Sequence, residues 1–366
     1  MDPRTWKKVL VLQTSFLGDT VLSLSLVSEI KRRFPKTNLS LLCSPSARDL
    51  LESHPDIDEI IVDEKKGVDQ GWRGLWRKAR SLRRMGFNAA LSPHKSLRSA
   101  LLLFFAAIPY RVGFKQSKGW FLFHQRVNRD STRHDVERNL SVLEAFGIKP
   151  EDCGRDQTLP VSDSTRQTVD RLVRSLGVSP GKVIVGVNAG SVWVTKRWAV
   201  EGFARVIDLI RQKHDCDVLL FGGPEDVEIN SRIQGLCGTA AMNLAGKLSL
   251  RELPAAVSLC KVFITNDSGP MHVAVARGVP TVAIFCATTP SLGFYPYSSR
   301  AVVLEKNLAC RPCSSHGGRR CPLGTEDCIR LIQPEQVAKA AEKFLTGQED
   351  TKRIRGNRYE PEFVAV

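Results

Sequence analysis

The chain has 366 residues, 42% apolar residues and a formal net charge of +15. Its length suits two domains better than one, and its composition is that of a soluble globular protein. The longest apolar run, residues 100–108, has nine residues. A membrane-spanning helix needs ~20, so we expect this run to be a buried helix. The first residues show neither the apolar region nor the cleavage site of a secretory signal, so we expect a cytoplasmic protein.

Strand and helix signals alternate along the chain in two sets. The first set has strands at 9–13, 39–43, 59–62, 87–92 and 111–114, and helices at 20–34, 47–54, 72–87, 96–107 and 135–146. After a helix that ends at 176, the second set has strands at 183–188, 217–221, 262–265 and 281–285, each beside a helical segment. This alternation predicts an α/β protein with two parallel sheets. We expect two doubly wound domains facing a cleft, at 1–176 and 177–345, followed by a polar tail at 346–366.

Positive charge is concentrated in one stretch of the first predicted domain. Residues 71–129 contain thirteen lysines and arginines and no acidic residue. A solvated helix face would explain the basic helix at 72–87, but not 59 residues without an acid. We therefore expect an anionic partner, which can be a nucleic acid, an anionic membrane surface or a phosphorylated substrate.

The first strand-to-helix turn reads TSFLGD and ends in Asp19. In an open α/β sheet this turn faces the ligand cleft. A phosphate loop would be rich in glycine, but this turn has one glycine and a carboxylate. Asp19 either caps the helix or accepts a proton from a bound hydroxyl, and its place beside Gly18 favours the second interpretation.

Three strand ends in the second domain carry polar residues. The run NDSGPMH places Ser268 as a helix cap, Gly269 where a ligand approaches the backbone and Pro270 in the first turn, which is typical of an anion site or of an ordinary capped helix. The loop after the strand at 183–188 contains Lys196, which can neutralise a pyrophosphate or lie in solvent. Glu225 follows the strand at 217–221 and either grips ribose hydroxyls or complements the helix dipole.

Four of the ten cysteines crowd into one segment. Cys310, Cys313, Cys321 and Cys328 have the spacing C-x2-C-x7-C-x6-C. The first pair has the spacing of a metal knuckle, and four thiolates would complete a structural zinc site. Reduced structural thiols are the alternative, and a disulfide is disfavoured in the cytosol.

Four runs in order resemble one protein family: TSFLGDTVLSLSLVSEIKRRFP, NAGSVWVTKRW, NLAGKLSLRELPA and TNDSGPMHVAVARGVPTVAIF. They are similar to bacterial ADP-heptose:lipopolysaccharide heptosyltransferases, glycosyltransferase family 9, over roughly residues 6–345. The cysteine-rich segment is most similar to the heptosyltransferase II group. The resemblance implies a GT-B fold of two Rossmann-like domains. It implies inverting transfer of L-glycero-D-manno-heptose from ADP-heptose to an inner-core heptose of lipopolysaccharide, with no cofactor required for catalysis.

The resemblance also implies roles for individual residues. Asp19 would be the general base, and Lys196 would stabilise the charge that develops on the ADP leaving group. The other expected donor contacts are Ser191 on a phosphate, Leu248 on the adenine, Glu225 on the ribose, and Asp267, Ser268, Gly269 and Pro270 on the diphosphate.

The acceptor carries acidic sugars and lipid phosphates and lies on an anionic leaflet, so the resemblance also implies work at the cytoplasmic face of the inner membrane. Candidate acceptor contacts are Lys95, Arg98 and Arg111, with His94 and His134 as alternative bases. Two alternatives stay open at this point. One is a GT-B transferase or epimerase for another sugar nucleotide. The other is a zinc-stabilised nucleic-acid-binding protein, although no recognition motif accompanies the basic stretch.

Overall fold

The computed structural model describes residues 6–348 and 359–366, which divide into two compact units at Pro160 and Val161. The helix predicted to close the first domain at 176 belongs to the second unit, because it packs on a helix of that unit. The predicted α/β class with two Rossmann-like doubly wound units is confirmed. No helix in the described ranges combines the length and the apolarity needed to cross a bilayer.

The first unit is built on a parallel sheet with the strand order β3-β2-β1-β4-β5-β6. Its strands are β1 (Lys8–Gln13), β2 (Asn38–Cys43), β3 (Glu59–Val62), β4 (Ala89–Ser92), β5 (Tyr110–Phe114) and β6 (Gln125–Val127). Its helices are α1 (Leu17–Leu22), α2 (Leu24–Arg33), α3 (Pro45–Leu51), α4 (Gly71–Arg84), α5 (Leu97–Phe105) and α6 (Asp135–Leu140). Val9 of β1 pairs with Leu39 on one side and Ala89 on the other. The strand order therefore reverses between β1 and β4, where α/β sheets bind ligands.

The second unit repeats this topology with one more strand, in the order β13-β12-β11-β10-β7-β8-β9. Its strands are β7 (Val183–Asn188), β8 (Cys216–Phe221), β9 (Met242–Asn243), β10 (Val262–Asn266), β11 (Thr281–Phe285), β12 (Ala301–Glu305) and β13 (Glu362–Ala365). Its helices are α7 (Asp163–Ser175), α8 (Val200–Lys213), α9 (Val227–Leu236), α10 (Leu253–Ser258), α11 (Gly269–Ala276), α12 (Asp327–Arg330) and α13 (Pro334–Leu345). Here the order reverses between β7 and β10.

Short 3₁₀ helices connect many of these elements. They span Trp120–Leu122, Ser141–Phe146, Pro150–Asp152, Val194–Lys196, Pro224–Asp226 and Pro290–Leu292.

Apolar side chains from both faces of each sheet form the cores. In the first unit Leu10 and Leu12 of β1 pack with Leu75 and Leu82 of α4. In the second unit the strands pack against α8 and α13 in a cluster that includes Phe203. Burial on both faces explains why the strands read as continuous apolar runs rather than alternating ones.

Other predicted elements also differ from the structure. The helix expected at 135–146 is α6 followed by the 3₁₀ helix Ser141–Phe146. The single helix expected at 20–34 is two helices, α1 and α2, which meet at Ser23, whose hydroxyl donates to the carbonyl of Thr20 at 2.7 Å. Such a local bond competes with the regular helix ladder. The tail expected at 346–366 is not all tail, because β13 pairs in parallel with β12 at the edge of the second sheet. The rest of that segment lies mostly outside the described residues.

Candidate active site

Asp19 lies in the first turn of α1, directly after β1 and beside the point where the strand order of the first sheet reverses. Its Oδ2 accepts the backbone N–H of Phe16 at 3.1 Å, so the capping role is present. Burial raises the pKa of Asp19 to about 6, and the negative charge of Asp135 adds to the rise. Hydrogen bonds from Ser15 and Phe16 and the positive charge of Arg129 oppose it. A carboxylate with this pKa is ionised at neutral pH and is a stronger base than a solvated aspartate.

A cluster of charged side chains accompanies Asp19. Asp135, the first residue of α6, pairs with Arg129 and lies 3.6 Å from the guanidinium of Arg138. The pKa of Lys95 is lowered by burial and by the positive charge of Arg129. Sequence reasoning found Lys95 but missed the other three residues. The signal in the sequence for these three residues is the polar run that follows β6. The short strand β6 was not predicted either.

The two histidines considered as alternative bases have structural partners. The His134 ring caps α6, since its Nδ1 accepts the backbone N–H of Val136 at 3.2 Å. The Nδ1 of His94 lies 2.8 Å from the hydroxyl of Ser99. Burial and the nearby Lys65 lower the pKa of His94 to about 4. Its imidazole is therefore a weaker base than the Asp19 carboxylate.

Two of the three predicted acceptor contacts are engaged elsewhere. Arg98 donates to Asp63 at 2.9 Å and to the carbonyl of Asp69 at 2.8 Å, and so ties the loop between β3 and α4 to the first turn of α5. Arg111 is the second residue of β5, at the opposite edge of the sheet from the Asp19 turn, and donates to the carbonyls of Leu122 and Ile108. Parallel strands bring only their carboxyl ends to the Asp19 edge, so the structure places Arg111 away from that edge, and its role as an acceptor contact stays a prediction.

In the second unit, Lys196 and Asp267 form the centre of the site. The Nζ of Lys196 lies 2.7 Å from Oδ2 of Asp267, and both side chains are largely buried. The hydroxyl of Thr288, after β11, donates to the same Oδ2 at 2.6 Å. Asp267 thus fixes the ammonium group at the carboxyl ends of β7 and β10. The strand order reverses here, and α/β sheets bind ligands at such a point. A phosphate group bound there would be neutralised by the ammonium group of Lys196.

The other predicted donor contacts lie at the same edge of this sheet. Ser191 follows β7 and its hydroxyl lies 3.5 Å from the carbonyl of Asp267, Glu225 is exposed after β8, and the half-buried Leu248 follows β9. Ser268, Gly269 and Pro270 begin α11. Pro270 has no N–H and the Met271 N–H donates to the Ser268 carbonyl at 3.2 Å, so among the described residues the N–H groups of Ser268 and Gly269 are the ones that this helix start offers to a ligand. The structure therefore brings the predicted set together, and the individual contacts with a donor stay predictions.

Two asparagines that sequence reasoning missed hold these loops. Asn188, the last residue of β7, donates to the hydroxyl of Ser268 at 3.1 Å. Asn266, the last residue of β10, accepts the backbone N–H of Trp198 at 3.0 Å and donates to the carbonyl of Ala189 at 2.7 Å. The signal in the sequence for these two residues was a polar residue at the end of an otherwise apolar strand. These bonds link the Lys196 loop to the start of α11.

The cysteine-rich segment packs against the Lys196 loop. Thr195 and Gly318 exchange hydrogen bonds, with the Gly318 N–H donating to the Thr195 hydroxyl at 2.8 Å and the Thr195 N–H donating to the Gly318 carbonyl at 3.1 Å. Gly317 has a φ of +84°, and a Cβ there would lie 3.1 Å from Cγ of Lys196. The cysteine-rich segment therefore holds the Lys196 loop in position.

The structure does not arrange the four cysteines as the tetrahedral zinc site that their spacing suggests. Within residues 6–348 and 359–366, no group of three or more His, Cys, Asp or Glu side chains is placed to hold a metal ion. Cys328 packs into the core of the second unit, and burial raises the pKa of its thiol to about 11, whereas Cys310 is exposed. None of the ten cysteines, all within the described residues, forms a disulfide.

Comparison with known proteins identifies the family. The family model described as glycosyltransferase family 9 (heptosyltransferase) matches residues 75–322. The chain is 28% identical to lipooligosaccharide heptosyltransferase 2 of Haemophilus ducreyi, over 81% of this chain and 88% of the relative. Two solved structures are also similar, and they support the GT-B architecture.

The first is a family 9 glycosyltransferase from Veillonella parvula, with a TM-score of 0.83 and 27% identity, covering 95% of this chain and 98% of the other. The second is ADP-heptose lipopolysaccharide heptosyltransferase II of E. coli, with a TM-score of 0.77 and 25% identity, covering 93% of this chain and 99% of the other. The chain therefore belongs to glycosyltransferase family 9, the heptosyltransferase family, and is a glycosyltransferase.

Proposed function

We propose that this enzyme transfers L-glycero-D-manno-heptose from ADP-heptose to an inner-core heptose of lipopolysaccharide, in the manner of heptosyltransferase II and with inversion at the anomeric carbon. The observation that carries the proposal is the buried Lys196–Asp267 pair at the strand reversal of the second unit, in a chain of family 9. The lipid-linked acceptor places the reaction at the cytoplasmic surface of the inner membrane.

In the proposed reaction, a hydroxyl of the acceptor heptose transfers its proton to the free oxygen of the Asp19 carboxylate. The hydroxyl oxygen then forms a bond to the anomeric carbon as the bond from that carbon to the β-phosphate oxygen breaks. ADP leaves with the electron pair. Lys196 and the backbone N–H groups at the start of α11 stabilise its negative charge. None of these steps is routed through a cofactor.

Donor choice tests the proposal against other sugar nucleotides. Purified enzyme is incubated with a heptose-terminated core acceptor and, separately, ADP-heptose, UDP-sugars or GDP-sugars, and release of the nucleoside diphosphate is measured. Of these donors, we expect only ADP-heptose to support turnover. Preference for a UDP- or GDP-sugar would assign a different transferase, and tight binding of an oligonucleotide with steep salt dependence would favour the nucleic-acid alternative.

The pH profile is predicted to report the ionisation of Asp19. Because a general base must be deprotonated, kcat/KM should fall about tenfold per pH unit below about 6 and be level above it. Asp135→Asn removes the negative charge that helps to raise this pKa, so its acid limb should move to lower pH. A wild-type limb near pH 4 would contradict the raised pKa of Asp19, since it would fit either His94 or an aspartate with an ordinary pKa.

Gly317→Ala is predicted to lower kcat/KM for the donor about tenfold. The new methyl group strains a backbone with positive φ and presses on the side chain of Lys196. Gly324→Ala is the matched control, since Gly324 lies in the same segment with a φ of +74° but has open space around its Cβ position. Both variants should lose similar thermal stability. Equal donor kinetics in the two variants would show that the segment does not brace Lys196.

A further inference from the structure

Large apolar side chains are exposed in one part of the first unit. Trp72, Trp76, Leu97, Phe104, Trp120 and Phe121 are each 40–59% exposed. All six lie in the stretch 71–129, which has no acidic residue. The apolar run at 100–108, expected to be a buried helix, instead turns Phe104 towards solvent. Soluble proteins rarely expose several large apolar residues together unless the surface binds something.

These side chains lie on three adjoining elements. The rings of Trp72 and Trp76 on α4 lie 5.7 and 4.4 Å from the ring of Phe105 on α5, and Phe104 lies 5.5 Å from the same ring. The 3₁₀ turn Trp120–Leu122 packs on α5, where a Cβ on Gly119 would lie 2.4 Å from the Cβ of Ala100. We call this surface of α4, α5 and the 3₁₀ turn the aromatic–basic face.

Arginines accompany the exposed rings. At 3.6 residues per turn, Trp72, Trp76, Arg80 and Arg83 fall within an arc of about 80° on α4. Arg80 and Arg83 are exposed, and their guanidinium groups have no partner among the described residues. The guanidinium of Arg126 lies 5.3 Å above the ring of Trp120. The face therefore offers apolar rings and available positive charge side by side.

We propose that the aromatic–basic face docks on an anionic lipid bilayer surface. The rings of Trp72, Trp76, Trp120 and Phe121 enter the headgroup region, where amphipathic aromatic side chains are favoured. The arginines bind lipid phosphates, to which the leaflet charge attracts them. The proposal rests on the proposed function for its purpose, because that function needs access to a lipid-linked acceptor.

A bilayer fits this surface better than a soluble polyanion does. A nucleic-acid duplex would satisfy Arg80 and Arg83 with its phosphates, but its bases are stacked inside the duplex and leave no apolar surface to cover Leu97 and Phe104. The interface of a bilayer provides both a negative potential and an apolar layer within a few ångströms of each other. The combination of both side-chain types on three adjoining elements therefore favours the lipid surface.

Vesicle binding of the full chain tests this docking. The protein is sedimented with vesicles of phosphatidylethanolamine and phosphatidylglycerol, and with phosphatidylcholine vesicles of the same size. We expect partition into the anionic vesicles only. Arg80→Gln with Arg83→Gln should weaken it about 30-fold at low salt, from the loss of two surface charges. Trp120→Ser with Phe121→Ser should weaken it at low and high salt alike.

The matched control is Arg166→Gln with Arg174→Gln, which removes the same charge from exposed positions of α7 in the second unit. It should bind vesicles like wild type. All variants should keep wild-type turnover with a short, lipid-free acceptor. Loss of vesicle binding would therefore leave the proposed reaction intact, and loss of turnover would leave the docking proposal intact. Equal binding to both vesicle types, equal loss in the control, or effects confined to binding of heparin or an oligonucleotide would overturn the proposal.

Discussion

Asp19→Asn is expected to lower kcat by about three orders of magnitude, because an amide cannot take the proton of the attacking hydroxyl. The asparagine Oδ1 can still accept the Phe16 N–H, so the turn at the start of α1 should keep its geometry. Affinity for ADP-heptose should be unchanged, since the donor residues belong to the second unit. Steady-state release of ADP and calorimetric binding of the donor measure the two quantities separately.

Asp58→Asn is the control for this substitution. Asp58 is a carboxylate of the same unit that accepts the backbone N–H of Leu39 at 2.6 Å, at the start of β2 and therefore at the opposite edge of the sheet. Its loss should cost stability but leave kcat at the wild-type value. If Asp19→Asn behaves like Asp58→Asn, Asp19 is a helix cap, and His94 becomes the next candidate for the base.

Lys196→Met is expected to lower kcat by a factor of about 10²–10³, because it removes the charge that faces the departing diphosphate. It should also weaken ADP binding. The substitution also lowers stability, because it leaves Asp267 buried without its cation. The double variant Lys196→Met with Asp267→Asn removes both charges, so it should recover thermal stability without recovering turnover.

Lys182→Met provides the comparison for that experiment. Lys182 pairs with Asp215 at 2.8 Å just before β7, at the amino end of the same sheet. Lys182→Met should therefore leave kcat and the affinity for ADP unaltered. Recovery of turnover in the double variant would mean that Lys196 serves only to neutralise Asp267, and would remove it from the proposed mechanism.

The sequence predicted the strands that carry the site because those strands are buried on both faces. Continuous apolar runs such as residues 183–188 and 281–285 are typical of the central strands of a parallel sheet. The short strands β6 and β9 were missed, since two or three residues carry no periodicity. β12 was also missed, although it is a buried apolar run like the strands that were predicted. β13 was missed because its side chains alternate between half-buried and exposed at a sheet edge.

The electrostatics of the site could not be read from the sequence. The position of Asp19 after β1 indicated a functional carboxylate, but its raised pKa depends first on burial in the folded unit and then on Asp135, more than a hundred residues away. Likewise the spacing of Cys310 and Cys313 indicated a metal knuckle, whereas the fold uses the segment to brace the Lys196 loop through Gly318. Interactions between distant segments decide such properties, and local patterns do not encode them.

The chemical structure of the product tests the central claim most directly. Wild-type enzyme is incubated with ADP-heptose and an acceptor that ends in the first inner-core heptose, and the product is analysed by mass spectrometry and NMR. We predict an acceptor extended by one heptose, with an anomeric configuration opposite to that of the donor and one ADP released per transfer. Retained configuration, or an unmodified acceptor with ADP-heptose bound or hydrolysed, would contradict it.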